Sequence, residues 1–209
     1  MSKPTFDQEY WEGLWSKTLR EKADVVARRP PNAYLKAELA DIPPGRALDA
    51  GCGHGADTLW LAAQGWQVTA ADFSESALSH GKAMAQAVGA AFADRIDWIQ
   101  ADLATWSPAP CHYDLVLCLY VHIAGAEADF VKRMANGVAP GGTLFLVGHR
   151  PIDPLTGMAT IAANQVQVSV EGALAALDAE VWELIVAEER KRVVSSGVDA
   201  VIRVRRLEE

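Results

Sequence analysis

The run Asp49-Ala50-Gly51-Cys52-Gly53-His54-Gly55 constrains this chain more than any other stretch of it. Three alternating glycines can neither extend a strand nor open a regular helix, yet they join the apolar Ala47-Leu48-Asp49 to an amphipathic segment from Asp57 to Gln64. The pattern predicts a short buried strand, a tight glycine turn and a helix stopped by Gly65. A fold built on that unit places the turn at the carboxyl end of a strand, where open sheets receive ligands.

The same alternation continues along the chain. Gln67 to Ala71, Ile96 to Gln100, Leu115 to Leu119 and Thr143 to Val147 read as further strands, with helices over Glu75 to Val88 and Ala126 to Val138, the latter closed by Pro140-Gly141-Gly142. Short continuous apolar strands between helices predict a parallel sheet covered on both faces. Ahead of the first strand, Tyr10 to Ala27 and Ala33 to Ala40 read as helices, ended by Pro30-Pro31 and Pro43-Pro44-Gly45. Beyond His149, a loop from Pro151 to Asn164 precedes a short helix over Glu171 to Leu177. Trp182 to Val194 and Val198 to Val204 then read as a hairpin joined through Ser195-Ser196-Gly197. The expected fold class is therefore α/β: a Rossmann-like, doubly wound sheet of seven strands, mostly parallel, with a C-terminal antiparallel hairpin.

At 209 residues, half of them hydrophobic, the chain is long enough for one sizeable core and short for two. One domain is expected over 1–209: N-terminal helices in 1–44, a ligand-binding core in 45–150, and a flap loop, helix and hairpin in 151–209. A formal net charge of −8 argues against broad attraction to nucleic acid or anionic lipid and favours a small substrate. Cys52, Cys111 and Cys118 form no C-x-x-C pair, which supports neither a disulfide framework nor a zinc knuckle and fits a reducing cytoplasm. No metal is expected, and the expected state is a monomer or homodimer. The first twenty residues contain Asp7, Glu9 and Glu12 with no apolar run, unlike a secretory signal.

Each part of the glycine run has a physical task. Glycines bring a ligand against bare N–H groups at a helix N-terminus, and the Asp49 carboxylate can hold a cation directly or through water. An acid there suits a ligand carrying an ammonium and not a pyrophosphate. Asp72, twenty-one residues past Gly51, is placed to accept both hydroxyls of a ribose, or to cap the helix that Ser74 and Glu75 open. Asp102, after the third strand, can accept an exocyclic amine between Phe73 and Leu103, or stand as an ordinary loop acid.

As a set, Asp49 to Gly55, Asp72-Phe73-Ser74, Ala101-Asp102-Leu103, Tyr113-Asp114-Leu115-Val116 and Ala139-Pro140-Gly141-Gly142-Thr143-Leu144 resemble the class I S-adenosylmethionine-dependent methyltransferases over roughly residues 30 to 150. Tyr10-Trp11 and Val147-Gly148-His149-Arg150-Pro151 resemble the small bacterial branch that includes tellurite-resistance and thiopurine-type enzymes. The resemblance implies S-adenosylmethionine as cofactor and S-adenosylhomocysteine as product. It also implies Gly51, Cys52 and Gly53 against the methionine part, Asp72 on the ribose, Asp102 on the adenine amine, and Cys118 or Leu119 along the methionine chain. The expected activity is methyl transfer to an O, N or S atom of an aromatic or heterocyclic compound, or to a chalcogen oxyanion. Two alternatives are an NAD(P)-dependent oxidoreductase, since Gly51-x-Gly53-x-x-Ala56 also fits the dinucleotide pattern, and a non-catalytic module that binds S-adenosylmethionine.

Transfer from a sulfonium needs alignment more than acid–base help. His122 and His149, each after a strand end, are the candidate catalytic residues if the acceptor must lose a proton. Neither has a carboxylate partner evident in the sequence. Trp11, Trp15 and Tyr120, with Tyr34, are candidates for an apolar cover over the acceptor, or else pack against the core. His54 reads as a cofactor-loop residue, His80 and His112 as surface positions, and Asn32 as a helix cap or a contact to the cofactor carboxylate. Cys111 reads as a surface or packing cysteine, and the basic residues from Arg190 to Arg206 as a solvated strand face.

Overall fold

The computed structural model describes residues 7–152, 157–159, 165–192 and 197–208. Its strands lie in one seven-stranded sheet of order β3-β2-β1-β4-β5-β7-β6, where β1 is Arg46–Ala50, β2 Gln67–Asp72, β3 Ile96–Gln100, β4 Tyr113–Leu119, β5 Val138–His149, β6 Trp182–Lys191 and β7 Val198–Arg206. Strand β7 runs antiparallel to its neighbours β5 and β6, and the expected fold class holds. The chain divides into two compact units, up to Leu103 and from Ala104.

In the first unit, β2 pairs in parallel with β1 and β3, Asp49 opposite Ala70 and Asp72 opposite Gln100. Every residue of β1 after Arg46 is buried, as expected for a strand covered on both faces. Helix α3 (Ala56–Ala63) follows the glycine turn and α4 (Glu75–Val88) follows β2, capped by the Ser74 hydroxyl on Ala77 N–H. Gly89 breaks α4 before the one-turn α5 (Ala90–Ala93). Two glycines make room for one tryptophan: a Cβ at either Gly55 or Gly81 would lie 2.5 Å from the Trp98 ring. Ahead of β1 stand α1 (Gln8–Ala27), capped by Asp7, and α2 (Ala33–Glu38), capped by Asn32.

In the second unit, β4 and β5 are parallel, while β5–β7 and β7–β6 are antiparallel. Helix α6 is Glu127–Asn136 and α7 is Val170–Ala176. The helix expected to run to Val138 stops at Gly137, where the backbone closes back onto Met134, and β5 begins at once. Pro140-Gly141-Gly142 thus lies inside a twelve-residue strand, accommodated by a register shift against β4 between Tyr113 and Leu115. Of the expected flap, residues 153–156 and 160–164 lie outside the described residues, as do Val194 and the Ser195-Ser196 turn. No helix among the described residues is long and apolar enough to cross a membrane.

Candidate functional site

In the first unit, the glycine turn hangs from the end of β2. Gly51 N–H and Cys52 N–H donate to Ala71 O at 2.8 and 3.1 Å, Gly55 N–H to Cys52 O at 2.9 Å, and Gly53 N–H to the Asp72 carboxylate at 2.9 Å. Gly51, Gly53 and Gly55 all have positive φ, which the turn requires of them. The chain's own oxygens thus take four of the turn's donors, while the N-terminus of α3 beyond Gly55 has no side-chain cap.

Charge supplies the recognition instead. Asp49 is 2% exposed and accepts from the Thr58 hydroxyl at 2.5 Å. Asp57, in the first turn of α3, accepts from Asn32 N–H at 2.6 Å. Asp72 accepts from Gly53 N–H and from Ser74 N–H at 2.9 Å each. Burial, followed by the charges of Asp57 and Asp72, pushes the Asp49 carboxyl above its ordinary range against the pull of Thr58. Burial also raises Asp57, and it raises Asp72 in spite of the backbone donors around it. Three carboxyl groups crowded behind one turn favour a positive ligand, because a cation relieves both burial and mutual repulsion. A group bearing an ammonium and a sulfonium fits this donor set.

Helix α1 lies over the turn. The Trp15 ring packs against His54 with centroids 5.2 Å apart, and a Cβ on Gly53 would lie 3.0 Å from it. Glu12 accepts from the Ser74 hydroxyl at 2.8 Å and from Ser76, which fastens α1 to the start of α4. Gln8 and Gln100 both donate to Phe73 O, fixing the loop after β2. Trp11 stands edge-on to Tyr10 at 5.3 Å. Phe73 is half-buried, Leu103 buried and Asp102 exposed on the loop after β3.

Several expectations are corrected here. Tyr34, 9% exposed, is a core residue and not a cover. Asn32 bears out the first of its two expected roles: it caps α2, its side chain accepting from Tyr34 N–H at 2.9 Å. Asp72 does not cap α4, because Ser74 does. His80 is half-buried: its Nε2 is covered, and burial lowers its pKa. Burial, then the charges of Arg29 and His80, brings His54 down to about 4.

The second unit carries its own polar cluster at the carboxyl ends of β4 and β5. Asp199, 0% exposed on β7 opposite His149, accepts from Tyr120 Oη at 2.8 Å and from Arg192 Nε at 2.7 Å. Its Oδ1 also lies 3.0 Å from His149 Nδ1, which is 2.8 Å from Arg192 Nη2. Burial alone would raise the Asp199 carboxyl, but its contacts with His149, Arg192 and Tyr120 outweigh that and lower it. Tyr120 stacks on His149 at 4.0 Å with φ of 57°, a backbone state rare outside glycine. His149 N–H donates to Gln167 at 2.6 Å, and Gly148 has no room for a Cβ, which would lie 2.2 Å from Val168 O.

His149 therefore has the carboxylate neighbour that its sequence surroundings lack. The signal was a lone acid inside the apolar run Val198-Asp199-Ala200-Val201-Ile202. His122 is half-buried, and burial, with the charge of His149, brings it down to about 4. Cys118 and Leu119 are buried at the end of β4. Cys111 is exposed, with Arg206 Nη1 3.2 Å from its sulfur. Of the basic strand residues, Arg190 pairs with Glu188, and Arg192 turns inward to Asp199.

Residues 47–142 match a family described as a methyltransferase domain. The chain is 38% identical over 128 residues to trans-aconitate 2-methyltransferase of Streptomyces avermitilis, covering 58% of this chain and 45% of that one. It is 27% identical over 157 residues to thiocyanate methyltransferase 1 of Arabidopsis thaliana, covering 73% and 66%. The match thus spans about half to two thirds of these relatives' length. Among solved structures, N-methyltransferase NodS from Bradyrhizobium japonicum WM9, in complex with S-adenosylhomocysteine, shares the fold with a TM-score of 0.70 at 18% identity, covering 95% of this chain and 99% of that one. Through residues 47–142 the chain is therefore similar to a methyltransferase domain, in keeping with the resemblance of its motifs to the class I S-adenosylmethionine-dependent methyltransferases.

Proposed function

We propose that this protein transfers the methyl group of S-adenosylmethionine to a small-molecule nucleophile, an O, N or S atom of an aromatic or heterocyclic compound or a chalcogen oxyanion. The observation that carries the reading is the set of acids behind the glycine turn, Asp49 and Asp72 buried and Asp57 half-buried, where four of the turn's N–H groups already have acceptors in the chain. That arrangement selects a cation and disfavours the pyrophosphate of a nicotinamide cofactor. The names of the trans-aconitate and thiocyanate methyltransferases, and the net charge of −8, support a small acceptor over nucleic acid.

When bound, the cofactor supplies an electrophilic methyl group on a positively charged sulfur. The chain's part is to hold and align. Gly51, Cys52 and Gly53 form the floor, Asp49 and its neighbouring acids supply negative charge, and Asp72 accepts from the ribose hydroxyls. Asp102 accepts from the adenine amine beside Phe73 and Leu103, and Cys118 and Leu119 line the methionine chain. Trp11 and Trp15 exclude water from above the turn, which strengthens the electrostatics beneath. Tyr120, His122 and His149 meet the acceptor. A His122 ring near pKa 4 is too weak a base to drive deprotonation of an alcohol or phenol.

Incubation with methyl-labelled cofactor against total RNA, total protein and a panel of thiols, carboxylates, phenols and heterocyclic amines tests the reading. Label is expected in one or more of the small molecules. Label in RNA alone overturns it, and tight binding with no transfer to any acceptor favours a regulatory module.

A further inference from the structure

Glu12 is an acid that reaches off its own helix. Half-buried on α1, it accepts from the Ser74 hydroxyl at 2.8 Å, from Ser76 N–H at 3.3 Å and from the Ser76 hydroxyl. Resting on the methyl-transfer reading above, we infer that Glu12 is a positioning residue of the cofactor site: through Ser74 it sets Asp72 for the ribose, and through α1 it seats Trp15 over the glycine turn, so that sugar recognition and closure of the helix are one event.

Ser74 is the joint between the two acids. Its hydroxyl donates to Glu12 and accepts from Ala77 N–H at 3.2 Å, which commits the side chain on both sides and holds the residue in place. Its own N–H donates to Asp72 Oδ1 at 2.9 Å, while Gly53 N–H donates to Asp72 Oδ2 at the same distance. With one backbone donor on each oxygen, the plane of the Asp72 carboxylate is set. A pair of neighbouring hydroxyls needs such a fixed pair of acceptors, because both bonds form together only when both oxygens face them. Burial would raise the Glu12 carboxyl, but the bonds from Ser76 and Ser74 outweigh it and bring it below its ordinary range, so the clasp is made by a carboxylate.

The rest of α1 fits that role. Gln8, Glu12 and Trp15 stand at i, i+4 and i+7 and so share one face of the helix. Gln8 donates to Phe73 O at 3.2 Å, Glu12 reaches Ser74 and Ser76, and the Trp15 ring lies against Gly53 and His54. One face thus touches the loops after both β1 and β2, which carry Gly53 and the residues next to Asp72. Elsewhere the helix is weakened. Gly13 is exposed in its interior, where a Cβ would meet nothing within 4 Å, and Lys22 leaves the helical range at φ −144° and ψ 32°. A glycine with no packing reason lowers helix stability, so the seating of α1 rests on tertiary contacts such as these.

Without Glu12 the Ser74 hydroxyl loses its acceptor, the Asp72 carboxylate is less firmly aimed, and Trp15 loses its tether. Cofactor binding then weakens, and the preference for an intact ribose falls with it.

Calorimetry with S-adenosylhomocysteine and with its 3′-deoxyribose analogue reads that preference as a ratio of affinities. The wild type should favour the ribose by about tenfold, as expected for one hydrogen bond to a charged group. In Glu12→Ala the ratio should fall toward unity, whereas Glu12→Gln, whose amide oxygen still accepts from a serine, should keep most of it. Hydrogen exchange should show the amides of residues 8–21 protected by S-adenosylhomocysteine in the wild type and not in Glu12→Ala. A Glu12→Ala variant that melts lower yet keeps both the ratio and the ligand-induced protection overturns the inference, because Glu12 then serves stability alone. Should Glu12→Ala not fold, Ser76→Ala removes two of the three bonds' shared hydroxyl partner only in part, and an unchanged ratio and protection there overturn the inference as well. Failure of the wild type to bind S-adenosylhomocysteine removes the methyl-transfer reading itself, whereas binding with no preference for the ribose removes only this inference.

Discussion

The N–H of Gly53 donates to the carboxylate of Asp72 at 2.9 Å, so the glycine turn after β1 is tied to the acid that ends β2. In the proposed site, one residue would thereby shape the floor and meet the ligand. Asp72→Ala removes the tie, and a charged hydrogen-bonding partner of this kind is worth ~1.5–3 kcal/mol. Cofactor affinity should fall on the order of ten- to a hundredfold by calorimetry. Unchanged affinity would remove Asp72 from the site.

The buried acids make binding proton-linked. Asp49, Asp57 and Asp72 have folded pKa values above the ordinary range, so the folded protein retains protons that the unfolded chain has released. Their contribution to stability is present at low pH and is lost as pH rises through the raised folded values. A cation favours the ionised forms, so cofactor affinity should increase over the same window and protons should leave on binding. Titration in two buffers of different ionisation heat measures that release. Proton uptake would contradict the electrostatic account.

Histidines give the opposite slope. Burial holds His54 and His122 near 4, below the 6.5 of an exposed ring, so both fold neutral. Their contribution is intact above 6.5 and is lost as pH falls toward 4, because the unfolded chain takes up those protons first. Melting temperature should drop across that interval, and the drop should be shallower in His122→Gln. An equal drop in the variant would assign the acid sensitivity elsewhere.

Gly81 tests the packing beneath the turn. Replacing a mid-helix glycine with alanine gains about 0.5–1 kcal/mol of helix propensity, but overpacking a filled core costs about 1–3 kcal/mol. With the new Cβ 2.5 Å from the Trp98 ring, the clash should prevail and Gly81→Ala should lower stability in urea. A stabilised variant would mean that Trp98 can move aside.

These tests divide along what the residue order could convey. Strand β3 and helix α4 occupy the spans their patterns indicated, Ile96–Gln100 and Glu75–Val88, because local apolar runs and a Ser74 cap define both. The glycine turn was legible for the same reason. The fate of its N–H groups was not, since Ala71 O and Asp72 reach it only through the parallel pairing of β1 with β2. The contact of Asp57 with Asn32 N–H joins positions 25 apart and leaves no local pattern. The cluster around His149 depends on antiparallel register: Asp199 is fifty positions away in sequence and directly opposite in the sheet. Helix α6 was read past its end because nothing local separates Gly137 from Gly141 and Gly142.

Binding selectivity tests the central claim most directly. A calorimetric titration of the protein with S-adenosylmethionine, run beside one with NADH in the same buffer, compares a cation with a pyrophosphate at one site. The account predicts saturable one-site binding of S-adenosylmethionine and none, or far weaker binding, of NADH. Tighter binding of NADH would contradict it.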